Sequence, residues 1–150
     1  MANHYCTLSR DMNQALGIGQ YAIDFFSGEG QPGTDVLART EQFHLDSIGC
    51  AVAALGIQAS APTILREEAL DYSITATGER GALCFGSTSS VQPERAVVAN
   101  CSAVRELDAN GTNFGYNPET GDCRGEFGHN DFYPVCVAAA QQRDLDGRQT

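Results

Sequence analysis

Three side chains of kinds that hold acids or move protons fall in one stretch of this chain: Asp108, Thr112 and His129. Asp108 follows the segment Asn100-Cys101-Ser102-Ala103-Val104-Arg105-Glu106-Leu107, Thr112 comes shortly after, and His129 lies in Gly125-Glu126-Phe127-Gly128-His129-Asn130-Asp131. A carboxylate, a hydroxyl and an imidazole are a workable set for orienting a substrate acid group and transferring a proton. Taken singly, each has an ordinary reading: a solvated acid at a helix end, a turn hydroxyl, and a surface or capping histidine. Chemistry requires that the connection between them fold His129 back toward Asp108 and Thr112.

The elements that must position these groups read as helices. From Ser9, Met12, Ala15, Leu16, Ile23 and Phe26 recur at helical spacing until the Gly-rich run 27–33 ends the segment. Thr34 is the expected N-cap of a second helix striped by Val36, Leu37, Phe43, Ile48, Val52 and Leu55. Its second half, 48–55, is almost free of polar groups and is predicted to be buried on most sides. Ser60 and Pro62 open a third helix through about Ile74, and the run 82–85 reads as a strand or extended connector. Pro93 opens a fourth helix, with Ala96, Val97, Cys101, Val104 and Leu107 on one face, ending near Asp108. Residues 109–129 are rich in turn formers over about 20 positions, a length at which loops in compact domains are usually functional or disordered. Asn130 or Asp131 is expected to cap a last helix through Val135, Val137 and Ala140. The predicted fold class is all-α, a helical bundle with one long loop at the candidate site.

Composition narrows the partners. The chain is 42% hydrophobic and 19% charged, ordinary values for one globular domain, and its formal net charge of -10 opposes binding to nucleic acid or to anionic membrane surfaces. No window approaches the roughly 18–20 uninterrupted apolar residues of a membrane span, and Met1 to Cys6 lacks the basic and apolar pattern of an export signal. Six irregularly spaced cysteines without a CxxC pair argue against structural zinc and against an iron-sulfur cluster. Cys50, Cys84, Cys101 and Cys136 have apolar neighbours and read as small buried hydrophobes, consistent with a reducing, cytoplasmic setting. His4 lies in an expected flexible start, and His44, between Phe43 and Leu45, is expected to be structural.

Asp46-Ser47-Ile48-Gly49-Cys50-Ala51-Val52-Ala53-Ala54-Leu55 resembles the Leu-Asp-Thr-Leu-Gly segment near the start of MmgE/PrpD proteins. Pro93-Glu94-Arg95-Ala96, with Asn100 and Ala103, is similar to the helix that precedes that family's Leu-Asp-x-Asn-Asp-Thr motif, which stands here as Leu107-Asp108-Ala109-Asn110-Gly111-Thr112; Gly128-His129 resembles the Gly-His that follows. The resemblance keeps this order over about residues 11–148. It implies that Asp108, Thr112 and His129 line an active site. Two departures stand out: Gly111 replaces the motif's second aspartate, and the longer connection 113–127 adds Tyr116, Arg124 and Glu126. Together with Arg105, Tyr116 and Arg124 are the expected substrate contacts.

Members of this family include 2-methylcitrate dehydratase, cis-aconitate decarboxylase and iminodisuccinate epimerase, so the implied activity is cofactor-independent proton transfer next to a carboxylate on a small polycarboxylate. His129 is the expected acid/base group, since an unperturbed imidazole titrates at about 6.5. Asp108 is expected to orient it or to hold a substrate group, and Thr112 to donate to a carboxylate. Family enzymes are longer, with further helices that bring a lysine and another histidine and an α/β domain that closes over the site. The chain is therefore expected to be the N-terminal part of such an enzyme, working as a homo-oligomer such as a dimer or with a chain that supplies the C-terminal part. The competing expectation is a non-catalytic subunit or fragment that docks onto that second chain through exposed apolar helix faces.

Overall fold

The computed structural model of the chain describes residues 9–11, 13–28, 32–75, 79–109, 116–117, 119–123 and 129–147. Among them are five α-helices and two short antiparallel strand pairs, so the fold is mainly α. The chain divides into two units, Met1–Leu37 and Ala38–Thr150.

In the first unit, α1 (Gln14–Phe26) begins later than the apolar periodicity predicts. Asn13 sets the start, because its side-chain oxygen accepts from the backbone N–H groups of Ala15 and Leu16, two donors that have no partner within the helix. Gly28, at φ 92°, terminates the segment in a conformation that side chains with a Cβ disfavour. Leu16, Ile18, Tyr21, Ile23 and Phe26 are exposed.

The helix α2 (Thr34–Gly56) begins at the end of the first unit and runs into the second. Thr34 is its first residue, one position inside the expected cap. In the stretch 48–55, Ala51 and Ala54 are buried, but Val52 is 58% exposed, which corrects the expectation of burial on most sides. Among the described residues one face is packed: Ala51 lies with Ala103 and Val104, flanked by Leu55 and Phe85. A helix apolar all round is buried all round only when neighbours cover every face.

Gln58, at φ 56°, turns the chain into α3 (Ser60–Leu70). This helix stops short of the predicted Ile74 because the chain beyond it becomes extended. Ser73 bridges to Val91, and the Ile74 N–H donates to the Ser90 carbonyl at 2.8 Å. β1 (Ala82–Leu83) and β2 (Ser90–Val91) pair antiparallel, with Ala82 opposite Val91 and Leu83 opposite Ser90. α4 (Pro93–Arg105) follows, opened by proline in its first turn, and the main core lies between it and its neighbours. Ala69, Ala82, Cys84, Val91, Ala96, Ala99 and Ala138 form that core, and its small side chains allow close approach of the helix backbones. Arg95 adds a surface tie between α4 and α3, with an ion pair to Glu68 at 2.9 Å and its guanidinium 4.1 Å from the centre of the Tyr72 ring.

Beyond α4, β3 (Tyr116–Asn117) and β4 (Asp122–Cys123) form a second pair, with Tyr116 opposite Cys123. A 3-10 turn, His129–Phe132, leads into α5 (Tyr133–Arg143). The expected capping role of Asn130 or Asp131 is corrected here: the residue before α5 is Phe132, and it makes no side-chain cap. Cys84 is buried, Cys50 and Cys101 are half-buried, and Cys136 is exposed, contrary to its expected burial; all four are free thiols. No single helix among the described residues is long and apolar enough to cross a membrane; α2 and α3 pass that test only as a pair bent by 92°.

Candidate functional site

Among the described residues, Arg105, Asp108 and Asp131 come together where α4 ends. α4 stops at Arg105, three residues before the predicted boundary near Asp108. Asp108 takes the left-handed conformation at φ 48°, which short polar side chains tolerate, and its N–H donates to the Arg105 carbonyl at 2.9 Å. That turn brings the Asp108 carboxylate back onto its own helix, where Oδ1 lies 2.5 Å from Arg105 Nη1. Arg105 is placed favourably in the last turn, where backbone carbonyls carry partial negative charge.

On its other side Arg105 meets the chain that returns from the long connection. Its Nε lies 3.7 Å from Asp131 Oδ2, and the Asp131 side chain is only 18% exposed, against 54% for Arg105 and 74% for Asp108. One guanidinium thus joins a carboxylate at the start of the 109–128 excursion to a carboxylate just past its end. The Asp131 charge is also felt by Cys101, whose thiol is pushed up to about 11, first by burial and then by Asp131. Burial first and Asp46 second likewise raise the Cys50 thiol. Neither is a poised nucleophile, since the thiolate is the reactive form.

The 3-10 turn is held from behind by α2. Asn130, 2% exposed, donates through Nδ2 to Asp46 Oδ2 at 3.0 Å and to Ser47 Oγ at 3.1 Å, while its own Oδ1 is buried without a partner among the described residues. Near one helical turn away, the Tyr133 hydroxyl lies 2.6 Å from Nδ1 of His44. The two contacts join residues three apart on α2 to residues three apart on the turn and α5, in antiparallel order.

Of the residues singled out by sequence, Arg105 and Asp108 are in contact. Thr112 and Arg124 lie outside the described residues. Tyr116 opens β3, and the backbone of His129 opens the 3-10 turn, two positions before the Asp131 that Arg105 reaches. Sequence reasoning missed Asp131, Asn130 and Tyr133 as interacting groups. One signal for them was present: Ser47 interrupts the Ala51 and Ala54 stripe with a polar group, and a buried hydroxyl needs a partner from elsewhere. Among the described residues, no three His, Cys, Asp or Glu side chains converge as metal ligands.

Compared with known protein families, with curated proteins and with solved structures, the chain matches none.

Proposed function

We propose that this chain is the N-terminal part of a lyase-type enzyme that acts on small polycarboxylates by proton transfer next to a carboxylate, in the manner of 2-methylcitrate dehydratase, with Arg105 as a carboxylate seat. The observation that carries this reading is the position of Arg105 between Asp108 and Asp131. A guanidinium offers five donors in a planar fork matched to a carboxylate. Its pair with Asp108 is well exposed, and such pairs contribute only about 0–1 kcal/mol, so a ligand carboxylate exchanges with Asp108 at little cost. Removing a proton from the carbon next to the bound carboxylate moves negative charge onto that group, where Arg105 stabilises it. Asp108, displaced but tethered three residues away, and His129, at the start of the 3-10 turn, are the groups proposed to take and return the proton. Because carboxylates outnumber cations around Arg105 among the described residues, a second cation is needed for a polyanion, and Arg124 is the proposed source. Decarboxylation of a cis-aconitate-like substrate and epimerisation of an iminodisuccinate-like one share the same step and are the alternative outcomes at this site.

A second reading is favoured by the apolar surface of α2 and α3, where Val52, Ile57 and Ile64 are 58%, 68% and 62% exposed. In that reading the chain is a non-catalytic subunit or fragment that docks onto a separate C-terminal chain.

The two readings separate in one experiment. The full-length protein, incubated in D2O with citrate, 2-methylcitrate, cis-aconitate or iminodisuccinate, should incorporate deuterium into at least one of them or convert it, and Arg105→Gln should abolish this while the far-ultraviolet circular dichroism stays helical. Exchange that survives Arg105→Gln, or none with any of the four, would remove the proposed seat.

A further inference from the structure

A carboxylate seat is useful only if its guanidinium is aimed, and α4 alone does not aim it. Arg105 is the last residue of α4, 54% exposed along its side chain, and Asp108, its neighbour on one side, is more exposed still. The less exposed partner is Asp131, 18% exposed along its side chain, with Oδ2 3.7 Å from Nε. Asp131 is 26 positions beyond Arg105 in sequence, so its placement is not set by α4 itself. The residue before it is held on α2. Asn130 is 2% exposed and donates to both Asp46 and Ser47 of α2, and in a 3-10 turn adjacent residues are rigidly related in direction.

One atom of the clamp carries a cost. Asn130 Oδ1 is buried with no partner among the described residues, and a buried acceptor without a donor costs about 1–3 kcal/mol. An apolar side chain at 130 would avoid that cost but would not fix the direction of the turn. Polar groups retained against stability are expected where geometry matters more than packing.

We infer that Asp46 and Ser47 are positioning residues for the Arg105 carboxylate seat, acting through Asn130 and Asp131. This rests on the carboxylate-seat reading above. α2 thereby sets the orientation of a guanidinium on α4 that neither Asp46 nor Ser47 needs to touch. The role is geometric, and it has a sign that distinguishes it from the effect of charge. Removing the Asp46 carboxylate from an acidic protein strengthens anion binding if only the field matters, and weakens it if the clamp aims Arg105.

The test is citrate binding by isothermal titration to the full-length protein, with the Arg105 Nε–H resonance followed by NMR. Asp46→Ala should weaken citrate about tenfold, the scale of losses from groups that orient a binding residue, and should shift the Arg105 Nε–H signal as Asp131 is released. Asp46→Asn, which keeps an oxygen acceptor for Asn130 Nδ2, should retain or tighten binding and leave the signal in place. Should Asp46→Ala fail to fold, Ser47→Ala decides: it removes one of the two clamp bonds while keeping a good helix former, and it should weaken citrate severalfold. Equal or tighter binding in Asp46→Ala, or unchanged binding in a folded Ser47→Ala where that variant decides, overturns the positioning role and leaves the seat intact. Failure of the wild-type protein to bind citrate in a way that Arg105→Gln removes takes away the seat, and this inference with it.

Discussion

The Tyr133 hydroxyl lies 2.6 Å from Nδ1 of His44, across 89 positions of sequence, with the two rings 5.2 Å apart and inclined at 64°. The phenol is raised above its ordinary range, by burial first and by Cys136 second, so at neutral pH it keeps its proton and shares a hydrogen bond with the imidazole. This contact anchors α5 on α2.

Tyr133→Phe removes that hydrogen bond but keeps the ring packing, and should lower stability by about 1 kcal/mol. Urea denaturation curves measure this as a lower midpoint at unchanged slope. A midpoint equal to that of the wild type would show that the bond contributes nothing net.

Asn100 carries a heavier structural role. It is 3% exposed, donates to the Leu83 carbonyl at 2.9 Å and accepts from the Phe85 N–H at 2.8 Å, so one side chain completes the backbone bonding at the end of β1. Asn100→Leu should destabilise the fold by about 2–4 kcal/mol, because two backbone groups lose their partners at once. Thermal unfolding should show a midpoint lower by several degrees, and a neutral result would contradict the burial of those groups.

Asp108 competes with any ligand carboxylate for Arg105 and is also a proposed proton acceptor. Asp108→Asn should therefore lower KM severalfold through weaker competition and lower kcat by more, so that kcat/KM falls. Steady-state kinetics with the substrate found by deuterium exchange would resolve the two effects, and a raised KM at unchanged kcat would count against both roles.

Cysteine reactivity should follow exposure and environment. Cys136 is exposed, Cys84 is buried and Cys101 is pushed up to about 11, so iodoacetamide at pH 8 should label Cys136 well before Cys84 or Cys101. The Cys101 shift also has a stability consequence with a definite sign. Its folded value lies above the ordinary 9.0, so between pH 9 and about 11 the unfolded state loses the proton while the folded state keeps it. This contribution is fully present below pH 9 and is lost as pH rises toward 11. Replacing Cys101 with Ala should flatten that part of the stability profile.

The amino-acid sequence by itself determined the helices and most of their starts. Apolar residues recurring every three or four positions, Pro93 in a first turn and the turn residues between segments act over a few bonds, and local geometry answers to them directly. It also placed Asp108 near a helix end and singled out Arg105 as a substrate contact, but their pairing came from the fold of the turn that follows α4. Tertiary structure decided the rest. The end of α3 at Leu70 instead of about Ile74 depends on pairing with β2, and the exposure of Val52 depends on which helix faces receive a partner. Asp131 reaches Arg105, Asn130 reaches Asp46 and Ser47, and Tyr133 reaches His44 only when the 3-10 turn and α5 dock on α2 and α4. Such long-range contacts follow from packing and loop closure, for which a periodic pattern along the chain carries no code.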